Sequence, residues 1–87
     1  MNIFWLTTFW KFRYRGEVKN GLRNGFGVYN SDDGIKYEGI WWNGLKHGQG
    51  KLIIKENMIY EGEWFEGIKH GNGRIKWPSG NIYDGEL

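Results

Sequence analysis

No cysteine occurs among the 87 residues. No disulfide and no thiolate metal site can brace the chain, and a reducing, intracellular compartment fits that absence. Proline occurs once, at Pro78, beside a turn where a missing N–H does least harm. Charge of one sign is scarce as well. Twelve Lys and Arg against ten Asp and Glu leave a net +2, and no block of like charges stands out, which excludes nucleic acid as a partner. No apolar run is long enough to span a bilayer. The N-terminus also lacks the basic region and small-residue cleavage site of a signal peptide. At 87 residues the chain makes one domain at most, marginal if it had to stand on its own core.

Catalytic groups are few. His47 and His70 occupy equivalent places 23 residues apart. Two strand spacings put them about 10 Å from each other, too far to share a metal that needs both nitrogens near 2 Å. Their expected role is a repeated turn residue that hydrogen-bonds to backbone. Ser31 and Ser79 fall in turns with no histidine in register. Gly48-Gln49-Gly50-Lys51 has the look of a phosphate loop, but no helix follows to supply its N-terminus. No catalytic residue, no cofactor and no metal site is read from the sequence, and the chain is expected not to be an enzyme.

What is present is glycine on a lattice. Tyr14, Tyr37, Tyr60 and Tyr83 recur every 23 residues, and all 15 glycines hold fixed offsets from them. Gly16, Gly39, Gly62 and Gly85 stand two residues on, and Gly21, Gly44 and Gly67 seven on. Gly25, Gly48 and Gly71 follow at eleven, Gly27, Gly50 and Gly73 at thirteen, and Gly34 and Gly80 at twenty, where the middle copy has Asn57. A fixed period of this length marks a repeat array whose units pack on their neighbours. Function is then to be sought on the surface that stacking builds.

Each unit reads as two short strands. Tyr37-Glu38-Gly39-Ile40-Trp41 and Tyr60-Glu61-Gly62-Glu63-Trp64 are first strands. Alternation sends Tyr37, Gly39 and Trp41 to one face and Glu38 and Ile40 to the other. The returning strand begins at Gly-x-Gly, with Gly48, Gly50, Leu52 and Ile54 alternating in turn. Asn43-Gly44, Glu66-Gly67, Asp33-Gly34 and Ser79-Gly80 supply turns, and Asn57 is expected at positive φ. Glycine inside a strand needs a cover, so the Tyr and Trp rings should lie over glycines of adjacent strands.

Tyr-Glu-Gly-x-Trp followed by Gly-x-Lys-His-Gly-x-Gly at this period resembles the MORN (membrane occupation and recognition nexus) repeat. The resemblance covers residues 14–87: copies 14–36, 37–59 and 60–82, and a first strand at 83–87. The first copy departs from it at Arg15, Val18 and Asn24. The resemblance implies an all-β fold, an elongated single-layer antiparallel sheet of successive hairpins. It also implies a non-catalytic role in contacts with proteins or acidic lipids. Tyr14, Tyr37, Tyr60, Gly39, Gly62, Trp41 and Trp64 are then structural repeat residues.

Two binding surfaces follow. Trp42 and Phe65 share a repeat position and point away from the main aromatic face, with Ile40 and Ile53 beside them. Clustered apolar residues of this kind mark a protein interface, and other protein subunits are the expected partners. Residues 1–13 lack glycine and carry Trp5 and Phe9; they read as a cap on the array or as an anchor. Tyr83-Asp84-Gly85-Glu86-Leu87 has no returning strand, so the edge is expected to pair with the N-terminal segment, a partner strand or a second copy, giving a homo-oligomer. The alternative surface is a ladder of Arg23, Lys46 and Lys69 facing an acidic membrane. Each cation there contributes about 1 kcal/mol, weak for three alone.

Overall fold

The computed structural model describes the backbone of residues 2–8, 12–54 and 57–87, and side chains from residue 14 onward within those ranges. Eight strands form one antiparallel sheet: β1 (Asn2–Thr8), β2 (Phe12–Lys19), β3 (Leu22–Ser31), β4 (Lys36–Trp42), β5 (Leu45–Ile54), β6 (Met58–Phe65), β7 (Ile68–Lys76) and β8 (Ile82–Glu86). Strand order in space is strand order in sequence, so every connection is a hairpin. The Cα extents are 39 × 27 × 15 Å. All eight strands belong to this one sheet, and no second sheet packs on it among the described residues.

Turn chemistry sets the register. Asn20-Gly21, Asn43-Gly44 and Glu66-Gly67 have positive φ at both residues, 53° and 78°, 49° and 84°, 48° and 88°. That is the two-residue type I′ turn whose twist matches a hairpin. Glu66 stands where the other copies have asparagine, in a conformation an ordinary side chain resists. Asn57 takes φ 64°, matching the 92° and 97° of Gly34 and Gly80 at the same repeat position. The tips of successive hairpins are tied together: the Gly44 amide donates to the Arg23 carbonyl and the Gly67 amide to the Lys46 carbonyl, both at 2.8 Å.

Two rows run across the strands. Gly16, Gly27, Gly39, Gly50, Gly62, Gly73 and Gly85 pair in unbroken register from β2 to β8. Beside them lies a row of Tyr14, Tyr29, Tyr37, Leu52, Tyr60, Ile75 and Tyr83. Between these rows and the turns, register slips in each of the three hairpins closed by a two-residue type I′ turn, near Gly16, Gly39 and Gly62. The extra residues sit in the returning strand, where Gly25, Gly48 and Gly71 take φ 95°, 70° and 61°. The returning strand is therefore not the plain alternation its sequence invites. Its first glycine makes a bulge that adds local twist.

The core is one layer of side chains on one face, called the inner face below. Tyr14 and Tyr37 are fully buried, and Trp41, Tyr60, Trp64 and Val18 are 8% exposed or less. Each tyrosine ring lies over the glycine row: a side chain at Gly27, Gly50 or Gly73 would overlap Tyr14, Tyr37 or Tyr60. Each hydroxyl donates along its own strand to the carbonyl three residues on, Tyr14 to Glu17 at 2.7 Å, Tyr37 to Ile40 at 2.9 Å and Tyr60 to Glu63 at 2.8 Å. The tryptophans do a different job from the covering expected of them. Trp41 Nε1 donates to the Gly27 carbonyl at 3.2 Å and Trp64 Nε1 to Gly50 at 3.3 Å. Their rings meet the tyrosines edge-on, with Tyr37 between Trp41 at 5.0 Å and Trp64 at 5.5 Å. Edge-to-face contacts of this kind contribute about 0.5–1.5 kcal/mol each beyond area burial.

Candidate functional site

The two-residue turns place Lys46 opposite Trp41 and Lys69 opposite Trp64, with Arg23 opposite Val18. The three cations therefore belong to the inner, aromatic face. Arg23 lies over Tyr14, Tyr29 and Trp41 at 5.1–5.2 Å from the ring centroids. Lys46 Nζ lies 5.4 Å from Tyr37, 5.6 Å from Trp41 and 5.7 Å from Trp64. Lys69 Nζ lies 5.4 Å from both Tyr60 and Trp64. These charges cap the ring layer, and their apolar stems extend its cover. Burial lowers the Lys46 pKa, and the flanking Arg23 and Lys69 charges lower it further.

The opposite, outer face holds the other candidates. Trp42 and Phe65 are 49% and 50% exposed, while their chain neighbours Trp41 and Trp64 are 3% and 5% exposed. Trp42 pairs with Leu45 and Phe65 with Ile68, beside the turns. Both partners are exposed, as is Leu22. A side chain at Gly44 or Gly67 would come within 3.7–3.8 Å of Leu22 or Leu45, so each leucine leans on the next turn.

The histidines complete this surface. The rings of Trp42, His47, Phe65 and His70 follow one another at 5.5, 5.3 and 5.7 Å, all tilted by 43–44°. Phe65 thus stands between the two imidazoles. His47 Nδ1 accepts the Glu66 amide at 3.4 Å, and Asn24 Oδ1 accepts the Asn43 amide at 3.0 Å. The same repeat position links each hairpin to the turn of the next, whether it carries Asn or His.

Toward the long loops the outer face becomes polar. Glu38, Lys51, Glu61, Arg74 and Asp84 are cross-strand neighbours of alternating sign. Arg74 reaches Asp84 at 2.8 Å and Lys36 reaches Glu38 at 3.6 Å. Opposite-sign pairs across strands favour this register over slipped ones. Phe26 faces Ile40 directly in the row nearer the turns, and both are exposed.

The MORN repeat family model matches residues 14–36, 37–55 and 60–82. The chain is a MORN-repeat protein. No individual curated protein matches it. MORN repeats are generally modules of protein or membrane interaction.

Within this MORN-repeat chain, Trp42 and Phe65 come together through His47 on the outer face, and Ile40 lies on that face opposite Phe26. Ile53 lies on the same face, farther from the turns, paired with Ile59. Tyr83 and Leu87 are exposed at β8, away from that surface. The N-terminal strand β1 pairs with β2, with Leu6 opposite Tyr14, at the other end of the sheet from β8. It does not cover the 83–87 strand. The Trp5 side chain and Phe9 lie outside the described residues. Sequence reasoning missed Phe26, Leu45 and Ile68. For the last two, counting outward from the turns would have placed them beside Trp42 and Phe65.

Proposed function

We propose that this chain is a non-catalytic interaction module, an accessory or adaptor subunit that binds a partner protein through the turn-side outer surface. The observation that carries this reading is the ring ladder of Trp42, His47, Phe65 and His70, with Trp42 and Phe65 half exposed. The fold has no packing use for these exposed halves, because its core rings are Trp41 and Trp64 on the other face. Tryptophan and phenylalanine are enriched at protein interfaces, and tryptophan is among the residues that carry most of their binding energy.

The acidic-membrane reading has less support. Arg23, Lys46 and Lys69 sit over core rings rather than forming an outward ladder. Reaching headgroups would cost those contacts, against about 1 kcal/mol gained per cation.

Quantitative co-purification from the native source tests the proposal. The tagged chain should retain a defined partner that the Trp42→Ala/Phe65→Ala variant loses, with the variant's melting temperature kept within a few degrees. Equal recovery of the same partners on both chains would overturn it.

A further inference from the structure

The bulges give each copy a place for a carboxylate. In the first copy Glu17 Oε2 accepts the Phe26 amide across the bulge at 2.8 Å. In the third, the Glu63 carboxylate occupies the matching space, where a side chain at Gly71 would overlap it. In the middle copy that position is Ile40, whose Cβ lies 3.5 Å from where a Gly48 side chain would begin. Isoleucine cannot accept the bulge amide. The residue facing it departs too: Phe26 stands where later copies have Gln49 and Asn72. Two departures, paired across β3 and β4, thus put an exposed apolar pair where the repeat otherwise puts polar groups.

Charge surrounds this pair unevenly. Along its row, Glu17 lies on one side, and Gln49 and Glu63 on the other, with no cation among them. An open groove adjoins the pair, floored by Gly39 and Gly50 and bordered by Glu38 and Glu61. Lys51 also borders it but has a carboxylate opposite on each side, Glu38 and Glu61.

We propose that this row is a docking strip for an extended segment of a partner protein with two apolar residues at alternate positions, so that both face the sheet, flanked by basic ones. The inference deepens the interaction reading above and rests on it. Glu17 on β2 and Glu63 on β6 are four strand spacings apart, about 19 Å, which an extended chain covers in about six residues. The apolar pair seats on Phe26 and Ile40, and the basic residues on the two flanking carboxylates. Charge fixes the register and rejects acidic segments.

The test is an amide NMR titration of the whole chain with two synthetic peptides, Lys-Lys-Leu-Gly-Phe-Gly-Lys-Lys and its counterpart with glutamate at every lysine. The basic peptide should shift the amides of Phe26, Ile40 and Gln49 and bind at least about 10-fold more tightly than the acidic one, a discrimination of about 1.4 kcal/mol. Glu63→Lys should shrink that ratio, and Phe26→Ala/Ile40→Ala should abolish binding while leaving the Tyr60 and Trp64 amides unmoved. Equal binding of both peptides overturns the inference, as does the absence of shifts up to about 1 mM, the bound set by millimolar affinity. Shifts confined to Leu45, Phe65 and Ile68 overturn the strip but leave the interaction reading standing.

Discussion

The ring of Tyr37 fills the space that a side chain at Gly50 would occupy, and the two residues are on adjacent strands. The contact joins the two features that repeat in the sequence. Glycine leaves a gap over the backbone, and the tyrosine two places before the next strand glycine closes it. Gly50→Ala must therefore push Tyr37 away from its core position between Trp41 and Trp64. The expected loss is about 1–3 kcal/mol, the range for overpacked cores. Urea unfolding measures it, and an unmoved midpoint would show that the ring yields freely.

Adjacent tryptophans should behave oppositely. Trp41 is buried and donates to Gly27, whereas Trp42 is half exposed on the other face. Trp41→Ala should cost about 3–5 kcal/mol, as large aromatic truncations do, enough to unfold a domain of this size. Trp42→Ala should stay within about 1 kcal/mol, since it loses one tilted contact with His47. Thermal melts of both variants check the contrast, which fails if the two fall equally.

The third type I′ turn is built with a residue that resists it. Glu66 holds φ 48°, where Asn20 and Asn43 stand in the earlier copies. Glu66→Asn should gain about 1 kcal/mol from relief of left-handed strain. The His47 contact uses the residue 66 amide, so it survives the exchange. A lowered melting temperature would mean that the Glu66 side chain itself does work in the fold.

Ile40 should be replaceable with profit to stability. Ile40→Glu restores the bulge acceptor that Glu17 provides to Phe26 in the first copy. One added hydrogen bond is worth about 0.5–1.5 kcal/mol, so the urea midpoint should rise. A fall would show that the Phe26–Ile40 contact supports the fold, and that the pair needs no functional explanation.

Alkaline pH should loosen the array. Burial, and secondarily the Tyr60 charge, push the Tyr37 pKa up to about 12 from 10.0. The folded state thus favours the neutral phenol. Its contribution is complete below pH 10 and is lost as pH rises toward 12. The lowered pKa of Lys46 acts with the opposite sign, below the ordinary lysine value of 10.5. The difference between the wild-type chain and Tyr37→Phe isolates the phenol: the wild type should lose more stability between pH 10 and pH 12. Parallel curves would contradict the assignment.

Much of this was legible in the sequence because it rests on alternation and turn type. The separation of Trp41 from Trp42, the positive φ of Asn57 and the hairpin order all follow from period two and turn residues. The inner position of Lys46 was legible in principle, since a two-residue turn at Asn43-Gly44 fixes its pairing with Trp41. Basic residues beside a turn invite a solvated reading, and that habit hid it. The bulges at Gly25, Gly48 and Gly71 were not legible, because glycine fits both a plain strand and a left-handed kink. Without the bulge, nothing marks Glu17 as an acceptor, Glu63 as the carboxylate in the matching place or Ile40 as the exception.

The central claim is a division of labour between faces, with Trp41 and Trp64 holding the fold and Trp42 and Phe65 holding a partner. Hydroxyl-radical footprinting of the free chain and of its native complex, read by mass spectrometry, tests it most directly. The account predicts that Trp42 and Phe65 are oxidised in the free chain and protected in the complex, while Trp41 and Trp64 resist oxidation in both. Equal oxidation of Trp42 and Phe65 in both states, or ready oxidation of Trp41 and Trp64 in the free chain, would contradict it.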